Sequence, residues 1–157
     1  MQRNRLMTAA ALAATATLAA GVGSAPAAKT KQVTCSLELT TQGMPNPSST
    51  HFGHARCPAP LGKGVHFNSF TVMPASPTSG AVTAKFKNYF DTGTTNGTSK
   101  LTYAASAPGK VAYTGTVKYT GGTGAFKGAK GSGTIDCTSA DAGLHKSCTV
   151  KTTFTSL

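Results

Sequence analysis

Apolar and polar residues alternate with a period of two along most of the chain after residue 30. From residue 33 to residue 39 the odd-numbered positions are Val33, Cys35, Leu37 and Leu39, and the positions between them are polar. Such alternation predicts a β-strand with one buried face. The sustained i, i+3, i+4 spacing of an amphipathic helix does not occur in this part of the sequence. The pattern therefore predicts an all-β fold.

Seven segments carry this alternation, and turn-forming residues separate them. The predicted strands span residues 33–40, 65–73, 80–90, 98–105, 110–119, 132–138 and 147–154. An eighth strand could come from residues 52–56 or from the division of a longer one. We expect an irregular loop over residues 42–63, which are rich in Pro and Gly, and a hairpin turn at Asn96-Gly97. Short strands at regular intervals favour a barrel or a sandwich, and we expect an antiparallel barrel of about eight strands.

The apolar faces of three consecutive strands predict the lining of the interior. In barrels of about eight strands the interior is either filled by side chains or holds one small ligand. The residues expected to form a ligand pocket are Phe86, Tyr103, Tyr113, Val117 and Tyr119.

The first 27 residues are typical of a cleaved signal peptide. Arg3 and Arg5 precede an Ala/Leu/Thr stretch over residues 6–23, and Ala25-Pro26-Ala27 offers a small-x-small cleavage site. A permanent membrane helix is the alternative, but it needs about 20 strongly apolar residues, and this stretch is broken by threonines. We expect a secreted protein without a transmembrane span, with one domain over residues 28–157.

Four cysteines follow the predicted cleavage site. An even number of cysteines in an exported chain indicates disulfides, and four cysteines allow three connectivities. We favour Cys35–Cys57 and Cys137–Cys148, because each pair brackets a local excursion between strands. Zinc binding is the competing use, but the close two-residue spacing of structural zinc sites is missing from the sequence.

The chain is basic, with a formal net charge of +11. Loss of Arg3 and Arg5 with the signal peptide leaves 13 basic and 4 acidic residues, a charge of +9. The lysines are dispersed and Arg56 is the only arginine left, whereas phosphate and base recognition favours arginine forks. We expect no specific nucleic-acid binding, and a weak long-range attraction to an anionic cell surface.

Few residues offer acid–base chemistry. The carboxylates are Glu38, Asp91, Asp136 and Asp141. Alternation directs Glu38 and Asp136 to the outer face. Asp91 and Asp141 fall in turns, where aspartate commonly caps the backbone. His51 and His54 fall in the predicted loop, so we expect their side chains to face solvent, and they lack a third metal ligand. The sequence contains no GxSxG, HExxH or phosphate-binding motif, and we expect no metal and no cofactor.

A glycine-rich corner with one aromatic anchor separates two of the predicted strands. The residues of this pattern are Gly121, Gly122, Thr123, Gly124, Phe126, Ala129 and Gly131. The pattern, GGTGxFxxAxG, resembles the corner of the allene oxide cyclase and dirigent barrels. That resemblance implies an eight-stranded antiparallel barrel with an apolar cavity, often assembled as a homo-trimer. Enzymes of this superfamily steer hydrophobic reactive intermediates, and no stretch outside the corner aligns well enough to transfer their catalytic residues.

Three functions remain open at this point. The first is a binding module for a small apolar or aromatic ligand. The second is an enzyme of the cyclase or isomerase type, which would shape a reactive intermediate. The third is a non-catalytic, basic protein of the cell envelope with a filled interior. The scarcity of titratable groups favours a role without catalysis.

Overall fold

The computed structural model describes residues 30–46 and 48–157, so the predicted signal peptide lies outside the described residues. All regular structure in the described part is β, and no helix there is long and apolar enough to cross a membrane. The eight strands are β1 Lys31–Asn46, β2 Ser48–Arg56, β3 Lys63–Ser76, β4 Ser79–Phe90, β5 Gly93–Ala107, β6 Lys110–Gly124, β7 Lys130–Ser139 and β8 His145–Ser156.

The strands form one closed antiparallel barrel. Each strand pairs with the next one in the chain, and β1 pairs with β8, from Lys31 opposite Phe154 to Thr40 opposite His145. Closure satisfies the backbone groups that an open sheet would leave at its edges. The predicted all-β barrel of eight strands is confirmed.

The period-two pattern sets the two faces of the wall as predicted. In β4 every second residue from Val82 to Phe90 is buried, and the lysines between them are exposed. Glu38 and Asp136 lie on the outer face, as alternation predicts. The inner surface of the barrel is therefore mainly apolar, and the lysines of β4 lie on the outer surface.

Both predicted disulfides are present. Cys35–Cys57 links β1 to the end of β2, and Cys137–Cys148 joins residues that lie directly opposite each other on β7 and β8. The described residues contain no free cysteine. Two disulfides indicate an oxidising environment of the extracellular type.

Two predicted connections are wrong. The expected loop over residues 42–63 contains the end of β1, all of β2 and the first residue of β3. Of its described residues, only 57–62 lie outside a strand. Gly53 lies within β2 because the backbone of β1 approaches too closely for a side chain: an added Cβ would lie 1.8 Å from the Glu38 carbonyl oxygen. Gly53 contributed to the prediction of a loop, but the close packing of β1 against β2 requires a glycine at this position.

Asn96-Gly97 is not a hairpin turn. It lies inside β5, and the turn between β4 and β5 falls at Asp91 and Thr92. The pairing with β6 shifts register here, with Asn96 opposite Gly121 and Gly97 opposite Tyr119. The extra residue of this β-bulge is Thr120 on β6, so the dipeptide is a regular part of β5 that lies opposite the bulge.

The glycine-rich corner is shorter than the sequence pattern. Gly121 to Gly124 belong to β6, and the turn itself spans residues 125–128. Gly124 and Gly128 have φ of 60° and 80°, which glycine adopts without steric cost. Phe126 is 2% exposed and packs edge-to-face on Phe90, with ring centroids 5.7 Å apart, so it anchors the corner as predicted.

Candidate functional site

The barrel encloses a cavity of about 670 Å³. This volume falls within the roughly 300–1,000 Å³ of ligand-binding pockets in proteins. At one end, which we call the open end, the cavity is lined by residues that form or adjoin three turns: 77–78, 106–109 and 142–144. The opposite, closed end is filled by apolar side chains. These are Leu61, Phe126, Ala129 and Phe154.

All five residues of the predicted pocket line this cavity. Phe86 and Tyr119 meet edge-to-face at 5.1 Å, and Tyr103 and Tyr113 lie 6.2 Å apart, nearer the open end. Val117 lies between these two aromatic pairs along β6. The interior thus combines aromatic rings with free space, as a site for a small apolar molecule requires.

A chain of hydrogen bonds crosses one wall of the cavity. Asn88 Nδ2 donates to Thr95 Oγ1 at 3.0 Å, and His66 Nδ1 donates to Asn88 Oδ1 at 2.7 Å. Asn68 Nδ2 then donates to His66 Nε2 at 3.0 Å, which requires a neutral imidazole with its proton on Nδ1. The Oδ1 of Asn68, a residue 7% exposed, has no hydrogen-bond partner among the described residues. It is an acceptor that a bound molecule could use.

A lysine points into the cavity near the open end. Lys146, on β8, is 7% exposed. Its Nζ donates to Thr41 Oγ1 at 2.9 Å, to His51 Nε2 at 2.8 Å and to the Gly143 carbonyl oxygen. His51 in turn stacks on Phe70, with ring centroids 4.0 Å apart. Three neutral acceptors and an aromatic ring therefore fix the position of this cation.

Burial shifts the proton affinity of these interior groups. It lowers the pKa of Lys146 to about 8 and the pKa of His51 to about 3. It lowers the pKa of His66 to about 4 and raises the pKa of Tyr119 to about 12. At neutral pH both imidazoles are neutral, and Lys146 remains mostly protonated.

The nearest carboxylate belongs to the turn before β8 and is already engaged. Asp141 accepts hydrogen bonds from Ser139 Oγ at 2.8 Å, from the His145 backbone N–H at 2.9 Å and from His145 Nδ1 at 2.6 Å. These bonds hold the pKa of Asp141 well below its usual range. The predicted capping role of this aspartate is confirmed, and none of the residues that line the cavity is Asp or Glu.

The two histidines of the predicted loop lie on strand β2 instead. His51 is buried and faces the cavity, whereas His54 is exposed on the outer face. The expectation of a solvent-facing side chain is therefore wrong for His51. Within the described residues, no three His, Cys, Asp or Glu side chains are close enough to hold a metal ion.

Sequence reasoning missed the polar groups of the interior. Alternation carried the signal: His66 and Asn68 share a face with Phe70, and Lys146 shares one with Cys148 and Val150. Lys146 was counted among the dispersed surface lysines, because lysine is almost never fully buried. A polar residue in phase with an apolar face is the pattern that would have identified these groups.

Comparison with known proteins leaves the family open. No protein-family model matches the sequence, and no curated protein matches it significantly. One similar solved structure is that of pyocyanin demethylase, with a TM-score of 0.42 and 15% sequence identity. The similarity covers 79% of this chain and 99% of that one. It is too low to support an argument about function.

Proposed function

We propose that the protein is a binding module that holds one small apolar or aromatic molecule inside its barrel. The cavity of about 670 Å³ is the observation that carries the proposal. The part of the cavity farther from the open end, which we call the lower cavity, is lined by Phe86, Val117 and Tyr119. Burial of an apolar ligand there would gain roughly 25 cal/mol per Å² of apolar surface removed from water. The unpartnered Asn68 Oδ1 provides a polar contact that could orient the ligand.

A neutral hydrophobic fluorophore, N-phenyl-1-naphthylamine, tests this function. We expect saturable binding to one site per barrel. Ala84→Trp would place a large ring in the cavity, and we expect it to weaken binding at least about tenfold. Thr83→Trp, at the adjacent and exposed position, is the matched control and should bind as the wild type does. Fluorophore binding that does not saturate would contradict the proposal. So would an equal loss of fluorophore affinity in both variants, provided that both are folded.

A second candidate is an enzyme of the cyclase or isomerase type. The observation that favours it is the location of His51, His66 and Lys146 in a shielded interior, where general acid–base catalysis operates. The resemblance of the glycine-rich corner to the allene oxide cyclase and dirigent barrels points to the same chemistry. If the protein converts a reactive epoxide faster than the uncatalysed reaction does, and His51→Gln loses this acceleration, the enzyme is favoured over the binding module. A filled interior, which the envelope-protein alternative requires, does not agree with the cavity.

The proposed site of action is outside the cell. Two disulfides and the predicted signal peptide support export, and the net charge of +9 expected after cleavage supports weak attraction to an anionic envelope. N-terminal sequencing of the protein recovered from the medium should begin at Ala28. Recovery of the uncleaved chain from the cytosol would contradict this part of the proposal.

A further inference from the structure

Lys146 is a buried cation that no carboxylate of the described residues contacts. The groups that its Nζ contacts are a hydroxyl, a carbonyl and a neutral imidazole, from Thr41, Gly143 and His51. The rings of Phe70 and Tyr113 lie 5.9 and 5.4 Å from the same nitrogen. A buried charge with neutral partners alone is costly, because those partners replace only part of its hydration.

The rest of the described cavity wall offers no carboxylate to balance the charge of Lys146. Among the residues that line the cavity, Lys146 is the only Lys or Arg, and none is Asp or Glu. The Asp141 carboxylate, in the adjoining turn, attracts Lys146 from a distance and so raises the pKa of the lysine. Its hydrogen bonds go to Ser139 and His145, however, and it forms no ion pair with Lys146. The interior therefore carries one positive charge close to its open end that has no described carboxylate in direct contact.

We propose that the ligand of this cavity is an amphipathic carboxylic acid whose carboxylate binds the Lys146 ammonium while its apolar body fills the lower cavity. This inference rests on the proposed binding function and names the ligand class. A ligand carboxylate would supply the missing counter-charge as a charge-assisted hydrogen bond in a low-dielectric site.

The position of the lysine sets the orientation and length of the ligand. Lys146 lies beside Gly143 and Leu144 at the open end, whereas Val150 lines the cavity four residues further along the same strand. Four residues of a strand span about 13 Å. A molecule that enters with its apolar end first can thus reach Phe86 and Tyr119 while its carboxylate stays at the lysine.

Decanoic acid and decanamide are the test pair, because they share the chain and differ in charge. Their affinities are measured at about pH 6.5 by competition against N-phenyl-1-naphthylamine. We expect decanoate to bind at least about tenfold more tightly than decanamide, since hydrogen bonds to charged groups are the stronger ones. Lys146→Met should abolish this preference, so that the variant binds decanoate no more tightly than decanamide. Lys151→Met removes an exposed charge from the same strand and should retain the preference.

The pH dependence of the wild type is an independent measurement that needs no variant. Among the titratable groups around Lys146, His51 and Asp141 change protonation well below pH 6.5, and burial raises the pKa of Tyr113. Lys146 is then the group that loses its proton as the pH rises from about 6.5 to about 10. The affinity for decanoate should fall above about pH 8, and the affinity for decanamide should stay constant.

The outcomes separate this inference from the function on which it rests. Equal affinity for acid and amide, or a preference that survives Lys146→Met, would overturn the carboxylate inference and leave the binding function intact. Equal loss of preference in Lys151→Met would also overturn it, since it would assign the effect to surface charge. Failure of the neutral fluorophore to bind would instead refute the binding function itself.

Discussion

Gly97 is a position at which one added methyl group should strain the wall of the barrel. It lies on β5, directly opposite Phe86 on β4 and Tyr119 on β6. An added Cβ would lie 2.1 Å from the Lys118 carbonyl oxygen and 2.7 Å from Phe86 Cζ. Contacts below 3.0 Å require either the strand or the ring to move, and such overpacking costs about 1–3 kcal/mol.

Gly97→Ala should therefore lower the free energy of unfolding by about 1–3 kcal/mol. Gly121→Ala is the matched control, because the atom nearest to an added Cβ there is Asn96 Oδ1 at 3.5 Å, an ordinary contact. Since alanine restricts the unfolded chain, that variant should be unchanged or more stable by up to about 1 kcal/mol.

Urea unfolding followed by tyrosine fluorescence measures both variants. With a slope of about 1–3 kcal/mol per molar urea, the two midpoints should move apart by about 1 M. The reasoning fails if both substitutions shift the midpoint equally, or if Gly97→Ala is as stable as the wild type.

Three further predictions concern stability. Phe126→Ala should cost about 3–5 kcal/mol in urea unfolding, since its ring is buried at the closed end, whereas exposed Lys127→Ala should change little. Because the pKa values of His51 and His66 are about 3 and 4 in the fold, the unfolded chain binds protons first as the pH falls below about 6.5. Stability should therefore drop between about pH 6.5 and 4, by up to about 1.4 kcal/mol per pH unit for each histidine, and a flat profile would contradict this. Reduction and alkylation of the two disulfides, whose partners are 22 and 11 residues apart, should cost about 3 kcal/mol each, and an unchanged urea midpoint would refute this.

The period of two made the fold predictable from the sequence, and the positions of the four cysteines on either side of local excursions made the disulfides predictable. Alternation assigns each residue of a strand to one face, and all five predicted pocket residues lie on the inner one. Glycine and proline were less informative, because glycine serves both turns and crowded strands. Gly53 and Gly97 both lie within strands where a neighbouring backbone leaves no room for a Cβ.

The chemistry of the interior was harder to predict, because it depends on which strands become neighbours. His51 and Lys146 are 95 residues apart in the chain, and only closure of β1 on β8 brings them together. Their altered pKa values follow from burial, which a local pattern does not measure. The position of Lys146 two residues before Cys148 and four before Val150 was the local indication that its side chain points inward.

The junction of β1 with β8 also determines the order in which the molecule can assemble. Every other strand pairing joins neighbours along the chain, whereas this one joins segments more than 100 residues apart. Bringing such distant segments together costs the most chain entropy, so hairpins form early and ring closure comes last. Each disulfide spans a hairpin next to this junction, one on either side. Oxidation can thus fix both flanks in advance, which leaves the pairing of β1 with β8 as the single step that encloses the cavity.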